Sequence, residues 1–279
     1  MADRPARPAP PSAAPASAQS SSAAPASAAP ASAAPASAAP SSAQSSGAPS
    51  SGAASPWRSI DPRQVPVIQR YADLPAVPPE RLLPDWLRLR VSSPPVWEPE
   101  HAGDRARVEN PNQRAAAVLV PRVMHGSGLT VLLTQRPHHM REHAGQIAFP
   151  GGRSDDTDRT AVDTALREAW EEVGLHRDRI DVIGQMPAYF TGTGYRVTPV
   201  VALVEPGFEL RIDAGEVAEA FEVPLHFLMN PRHHERRHLS QAGLEREFLA
   251  MPYSAGEREF FIWGATAAML RNLYRLLMA

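Results

Sequence analysis

Residues 160–173 constrain the fold of this chain most, because their apolar residues are spaced so that a helix would place them on one face. At about 100° per residue, the apolar side chains fall on one stripe and the acidic ones gather on the opposite side. The stripe consists of Val162, Leu166, Ala169 and Val173. The acidic residues are Glu168, Glu171 and Glu172. Gly174 follows, where a helix end favours a residue that tolerates positive φ. The segment therefore predicts an amphipathic helix packed on a core.

The three glutamates are spaced i, i+3 and i+4, so they are neighbours on the helix surface. Like charges at these spacings repel and destabilise the helix unless a cation neutralises them. Oxygen-only ligands suit a hard cation, so the cluster indicates Mg²⁺ or Mn²⁺. The alternative is an ordinary solvated acidic face without a ligand.

Composition divides the chain into three parts. Residues 1–56 are almost wholly Ala, Pro, Ser, Gln and Gly, with a recurring Ala-Ser-Ala-Ala-Pro unit. Such a segment has too little apolar surface to offset its ordering entropy, so we expect a disordered tail; a tether or docking arm is the functional alternative. Residues 57–111 read as a Pro-rich lead-in with a short helix at 79–90. Residues 112–279 are predicted to form the folded domain.

The overall composition excludes several classes of function. The net charge is −2, which gives no bulk attraction to nucleic acid or membranes. Cysteine is absent, which rules out disulfides, thiolate catalysis and Cys-type zinc sites. No apolar run approaches the ~18 residues of a membrane span, and no secretory h-region precedes the domain. A cytoplasmic protein with no nucleic-acid or membrane partner is expected; the oligomeric state is left open.

Strand and helix patterns alternate without a βαβ repeat. Strands are predicted at residues 115–120, 129–135, 146–149, 180–186, 195–204, 219–224, 248–253 and 259–262. Besides the acidic helix, helices are predicted at 225–229 and 263–278. Pro199 predicts an edge or a bulge, and the polar residues 232–246 predict a mobile insertion. The fold class is α/β with α+β character, a mixed sheet between helices.

Two motifs resemble a known family. Residues 167–175, REAWEEVGL, resemble the Nudix box, whose core reads R-E-U-x-E-E-x-G-U with U aliphatic. Residues 132–152, LLTQRPHHMREHAGQIAFPGG, resemble an extension found on the coenzyme A pyrophosphatase branch of the Nudix superfamily. The likeness covers about residues 112–272. One departure is Asp158, which stands where the general box has Glu and lies nine residues before Arg167.

The resemblance implies a Nudix fold for the domain and a role for each matching residue. Glu168 and Glu172 would be metal ligands, Glu171 a further ligand or base, and Gly152 a carbonyl ligand. Arg167 would orient one of the carboxylates. Glu219, with Glu216 as a neighbour, is a candidate additional acid. The implied substrate-binding residues are Arg136, Arg141, His143 and Gly151. The cluster at residues 232–238 suggests zinc by composition, but a solvated loop is the favoured interpretation.

The implied reaction is metal-dependent hydrolysis of the diphosphate of coenzyme A or acyl-coenzyme A. The products would be 3′,5′-ADP and 4′-phosphopantetheine or its acyl form. One alternative is a broader nucleoside diphosphate-X hydrolase acting on ADP-ribose or dinucleotides. Another is a nucleotide-binding regulator without catalysis, which an eroded acid cluster would have favoured.

Overall fold

A computed structural model describes residues 60–104, 113–139, 144–241 and 244–279. The predicted tail, residues 1–56, lies outside the described residues, and the predicted domain boundaries remain a prediction. The helices are α1 Pro84–Ser92, α2 Ala161–Val173, α3 Leu225–Leu228 and α4 Ala265–Met278. Short 3-10 turns lie at Pro62–Gln64, Pro79–Leu82, Arg177–Arg179 and Pro231–His233. The strands are β1 Val67–Arg70, β2 Arg114–His125, β3 Gly128–Gln135, β4 Ile147–Ala148, β5 Gly151–Arg153, β6 Ile180–Gln185, β7 Tyr189–Phe190, β8 Tyr195–Val204, β9 Glu219–Pro224, β10 Glu235–Gln241, β11 Leu244–Ala255 and β12 Arg258–Trp263.

The larger sheet has eight strands and is mixed. Its main path is β4-β3-β2-β8-β6, with β5 on β2, β7 on β8 and β9 on β3. The β2 and β8 strands pair in parallel, from Arg114 opposite Tyr195 to Val123 opposite Val204. The other pairings in this sheet are antiparallel. The predicted mixed sheet is therefore confirmed.

Helices cover both faces of this sheet, as predicted. On one face, α2 packs its apolar stripe into a buried cluster with alternate residues of β2 and β8, such as Ala117 and Val200. On the other face, residues of α1, α3 and α4 join a larger cluster that includes Val120 and Val201. The helix α4 is buried on most sides rather than on one stripe. None of the helices in the described ranges is long and apolar enough to cross a membrane.

A second, four-stranded sheet has the order β1-β10-β11-β12. It contains residues 235–241 and 244–246, so the predicted mobile insertion at residues 232–246 is wrong. Three of the polar side chains of residues 232–238, those of His234, Glu235 and Arg237, are buried. Arg237 donates to Glu235 at 2.6 Å, and both side chains are at least nine-tenths buried. The buried His234 ring contacts the Leu228 carbonyl at 2.8 Å through Nε2, so the predicted solvated loop is also wrong.

Of the two predicted positions for Pro199, an edge or a bulge, the edge is wrong. The strand β8 is interior, flanked by β2 on one side and by β6 and β7 on the other. Pairing with β6 stops at Val200 and pairing with β7 begins at Val197, so Pro199 lies in the gap between them. Its carbonyl accepts a hydrogen bond from Met186 N at 3.0 Å. A proline is tolerated there because its missing N–H faces the interruption in the ladder.

The interior of the larger sheet holds an unpaired cation. Arg122 of β2 is 0% exposed, between Val131 and Leu203 on the neighbouring strands. None of its three guanidinium nitrogens has a hydrogen-bond partner within the described part of the chain. Burial lowers the pKa of Arg122 from 12.5 to about 9. Such a group costs stability, because nothing replaces the water it has lost.

Candidate active site

The helix α2 is fixed at both ends by local interactions. At its start, the Thr160 hydroxyl accepts from Asp163 N, and the Asp163 carboxylate accepts from Thr160 N, which is a capping box. At its end, Gly174 adopts φ 68°, and its N–H donates to the Trp170 carbonyl at 2.9 Å. The predicted helix and its terminating glycine are confirmed. The glutamates therefore project from the last two turns of a helix whose two ends are both fixed.

Two glycines of β5 lie directly against these glutamates. Gly151 N donates to Glu172 Oε2 at 3.1 Å. A Cβ added to Gly152 would lie 2.5 Å from Glu168 Oε2, so any side chain there would displace the carboxylate. A Cβ on Gly151 would lie 2.5 Å from the Ala117 carbonyl oxygen. Glycine is required at Gly151, because its φ is 154° and the β2 backbone lies so close, whereas a side chain at Gly152 would move the Glu168 carboxylate.

Arg167 links four groups around the site. Its Nε and Nη2 donate to the two Asp158 oxygens at 3.1 and 2.8 Å. Its Nη1 donates to Glu168 at 2.8 Å and to Glu171 at 2.7 Å, and Nη2 also reaches the Arg153 carbonyl. Asp158 therefore forms a bidentate ion pair with Arg167. This is the pairing that the resemblance implies for the Glu at this position of the general box. The Arg167 guanidinium lowers the pKa of Asp158 to about 2.

The carboxylates differ in their surroundings. Glu172 is 4% exposed, and burial raises its pKa from 4.5 to about 7. Burial also raises the pKa of Glu168. The Glu171 side chain, in contrast, is 53% exposed and turned towards Arg167. Two of the three predicted ligands are thus desolvated carboxylates at the Gly151–Gly152 backbone, whereas the third lies at the surface.

The donor set fits a hard divalent cation. Glu168, Glu172 and the carbonyl of Gly152 offer only oxygen atoms, and the charges of Arg167 and Arg136 act on Glu168 and Glu172, respectively. Within the described ranges, no three acidic or imidazole side chains form a ready-made metal cluster. The reason is local, since Arg167 holds Glu168 and Glu171 while Gly151 N holds Glu172.

The two candidate additional acids are in different places. Glu219, on β9, forms an ion pair with Arg258 of β12. Glu216 is exposed in the preceding loop, and its charge raises the pKa of both Glu168 and Glu172. The loop that contains Glu216 is hydrogen-bonded to the end of α2, through Asp213 N and the Glu172 carbonyl, whereas Glu219 has a partner on another strand. The sequence names Glu219 as the candidate and Glu216 as its neighbour. No local pattern distinguishes these two residues, so the choice between them needs the structure.

Arg136 is the predicted substrate-binding cation that the structure describes. Its backbone pairs with Gln146 and Gly145, next to β4. Its charge lowers the pKa of Glu172, in opposition to burial. The Nε atom is buried without a hydrogen-bond partner among the described residues. Arg141 and His143, the other predicted contacts, lie outside the described residues.

Known proteins resemble both the sequence and the fold. A family model for the NUDIX domain matches residues 111–242. An Escherichia coli (strain K12) protein described as an uncharacterized Nudix hydrolase, NudL, is 42% identical over 166 residues. The match covers 59% of this chain and 83% of that protein, and the NudL protein of Shigella boydii serotype 18 matches to the same extent. The chain belongs to the Nudix hydrolase family.

Solved structures overlap less completely. A Caenorhabditis elegans Ap4A hydrolase binary complex is 19% identical, with a TM-score of 0.35, over 39% of this chain and 80% of that one. The Nudix hydrolase RenU of M. smegmatis is 24% identical, with a TM-score of 0.35, over 40% and 71%. As a Nudix hydrolase, the protein acts on nucleoside diphosphate-linked substrates, and its family generally uses divalent metal ions.

Proposed function

We propose that this Nudix hydrolase cleaves the diphosphate linkage of coenzyme A or acyl-coenzyme A, with Mg²⁺ or Mn²⁺. The products are 3′,5′-ADP and 4′-phosphopantetheine or its acyl form. One observation supports this proposal: the motif that resembles the coenzyme A branch ends at the two glycines that contact the glutamates of α2. Residues 132–152 begin on β3 and end at Gly151 and Gly152, against the glutamates of α2. A cytoplasmic location belongs to the same proposal.

Glu168, Glu172 and the Gly152 carbonyl would hold the metal ion. When bound, a divalent cation neutralises the diphosphate oxygens and lowers the pKa of attacking water. Arg167 keeps Glu168 in place through its 2.8 Å hydrogen bond and is itself fixed by Asp158. Glu171, held by the same arginine at the surface, is a further ligand or base. Glu216, whose charge acts on both Glu168 and Glu172, is proposed as an additional carboxylate of the site.

Arg136 is proposed to bind the substrate diphosphate. The charge of its guanidinium lowers the pKa of Glu172, and the Arg136 residue is partly exposed, so its side chain can donate to a phosphate oxygen. Arg141 and His143, a few residues further along the same motif, are proposed to bind the phosphates of the substrate. The planar fork of arginine suits the separate 3′-phosphate of coenzyme A.

One parallel assay tests this proposal. The purified protein is incubated with Mg²⁺ or Mn²⁺ and with coenzyme A, ADP-ribose or NADH, and the products are separated by chromatography. We expect 3′,5′-ADP and 4′-phosphopantetheine from coenzyme A at the highest kcat/KM. Faster cleavage of ADP-ribose or NADH would favour the broader diphosphatase. No cleavage of any of the three would contradict the proposed activity.

A further inference from the structure

The loop that carries Glu216 is attached to the metal-binding helix itself. Arg211 N donates to the Val173 carbonyl at 2.9 Å, and Asp213 N donates to the Glu172 carbonyl at 3.0 Å. These are carbonyls of the last turn of α2, which lack partners within the helix. The loop therefore begins on the backbone of Glu172, whose side chain lies in the active site.

The other end of the loop is attached to β3. Ala218 N donates to the Gln135 carbonyl at 2.8 Å, and Gln135 immediately precedes Arg136. Val217 is 2% exposed and anchors this end in the interior. The loop that contains Glu216 is thus hydrogen-bonded to the C-terminus of α2 at its start and to the last residue of β3 at its end. Both boundaries carry residues of the site, Glu172 on one side and Arg136 on the other.

Asp213 organises the turn between these two attachments. Its side-chain Oδ1 accepts from Gly215 N at 2.8 Å. Its carbonyl accepts from Glu216 N at 3.0 Å and from Val217 N at 2.8 Å. A Cβ on Gly215 would lie 3.1 Å from Asp213 Oδ1, so the carboxylate is packed tightly against this turn. One residue therefore determines the backbone direction at Glu216.

We propose that Asp213 is a positioning residue, whose carboxylate fixes the turn that keeps Glu216 beside the C-terminal end of α2, where the loop is hydrogen-bonded to the Glu172 carbonyl. This inference rests on the proposed function of that cluster. Asp213 acts only through Glu216 and touches neither substrate nor metal. A side chain in an exposed loop is otherwise free to rotate away, so the turn supplies the order that a charged active-site group needs.

The variants are designed to separate positioning from stability. Asp213→Ala removes the acceptor for Gly215 N, whereas Asp213→Asn keeps an oxygen there. Arg211→Ala is the matched control on the same loop. It removes the guanidinium that lies 5.8 Å from the Trp170 ring centroid, but it keeps the backbone bond to Val173. Glu216→Gln and the double variant Asp213→Ala/Glu216→Gln complete a cycle.

The readouts are hydrolysis of coenzyme A and ADP-ribose, and Mn²⁺ binding by calorimetry without substrate. We expect Asp213→Ala to lower kcat about ten- to a hundredfold on the substrate that is cleaved, with KM nearly unchanged. Its Mn²⁺ affinity should fall in parallel with that of Glu216→Gln. Asp213→Asn and Arg211→Ala should resemble the wild type, and the double variant should be no worse than Glu216→Gln alone.

Several results would overturn the inference. They are additive losses in the double variant, failure of Asp213→Asn to restore activity, wild-type behaviour of Asp213→Ala, or wild-type behaviour of Glu216→Gln. Failure of the proposed function is recognised separately, with Glu172→Gln. If that variant retains full activity, the acidic cluster is not the catalytic site. If it is inactive while Asp213→Ala is unaffected, only the positioning role is wrong.

Discussion

Replacing Glu172 with glutamine should separate the contribution of this carboxylate to catalysis from its effect on the free energy of unfolding. The side chain is 4% exposed and receives one hydrogen bond, from Gly151 N. Glutamine keeps the shape and an oxygen acceptor but removes the negative charge. We expect hydrolysis to fall by about two orders of magnitude or more, the usual loss when a preorganised electrostatic group is removed from an active site.

The same change should stabilise the metal-free protein above neutral pH. Burial raises the pKa of Glu172 from 4.5 to about 7, so the folded state binds its proton more tightly than the unfolded state does. The free energy of unfolding therefore decreases as the pH rises from 4.5 through 7. At 1.36 kcal/mol per pKa unit, ionisation of this group costs about 3 kcal/mol at pH 8.

Thermal unfolding with EDTA, at pH 5 and pH 8, measures this cost. At pH 8 the variant should unfold about 5–10 °C above the wild type, whereas at pH 5 the two should nearly coincide. Glu171→Gln is the matched control for stability, because Glu171 is the neighbouring residue and 53% exposed. Added Mn²⁺ should stabilise the wild type more than Glu172→Gln, since a ligand stabilises only the state that binds it.

A metal-free Glu172→Gln protein that is less stable than the wild type at pH 8 would refute this reasoning. It would mean that the ionised carboxylate is a structural acceptor for Gly151 N rather than a strained, desolvated charge. Loss of activity in such a variant would then follow from unfolding. Full activity in a well-folded variant would remove Glu172 from the proposed metal site.

Three further predictions concern the rest of the chain. Arg122→Met should raise the free energy of unfolding at pH 7 by about 3–5 kcal/mol, because it replaces an unpaired buried cation. Chemical denaturation of the wild type and the variant measures this difference, and a variant no more stable than the wild type would contradict it. Arg141→Ala should weaken hydrolysis of coenzyme A much more than that of 3′-dephospho-coenzyme A, at a cost of about 1.5–3 kcal/mol; equal losses would assign Arg141 to the diphosphate or the scaffold. Removal of residues 1–56 should leave melting temperature and turnover nearly unchanged, and a drop of several degrees would show that this segment packs on the domain.

Local patterns were sufficient to predict α2 and β8. The apolar stripe of α2 and the glycine after it identify the helix without tertiary information. The strand β8 has the predicted bounds, Tyr195–Val204, because a continuous apolar run of that length is typical of a buried strand. The position of Pro199 was not predictable, because the gap between β6 and β7 is a property of the partner strands.

Of the second sheet, the strands at 248–253 and 259–262 were predicted, whereas β1 and β10 were not, because their polar residues are neutralised by distant partners. Glu235 pairs with Arg70, which lies 165 residues away in the chain, and Arg237 donates to the backbone carbonyls of Arg63 and Val65. A sequence of this composition resembles a solvated loop until those partners are known. The same limit applies to Glu216, whose loop is joined to α2 by a hydrogen bond from Asp213 N to the Glu172 carbonyl.

The position of the glutamates along α2 explains why the site should attract a cation so strongly. They occupy the last two turns, where the helix dipole is negative and disfavours carboxylates. The last turn carries no basic residue, so the helix itself does not offset this cost. The burial of Glu172 adds to the cost, and the nearby Glu216 increases it further. Arg167 offsets part of the charge, but it holds Asp158 and Glu171 as well as Glu168. A divalent cation bound at Glu168 and Glu172, as we propose, would relieve this repulsion, so variants that lower the charge of the cluster should weaken metal binding and stabilise the metal-free helix.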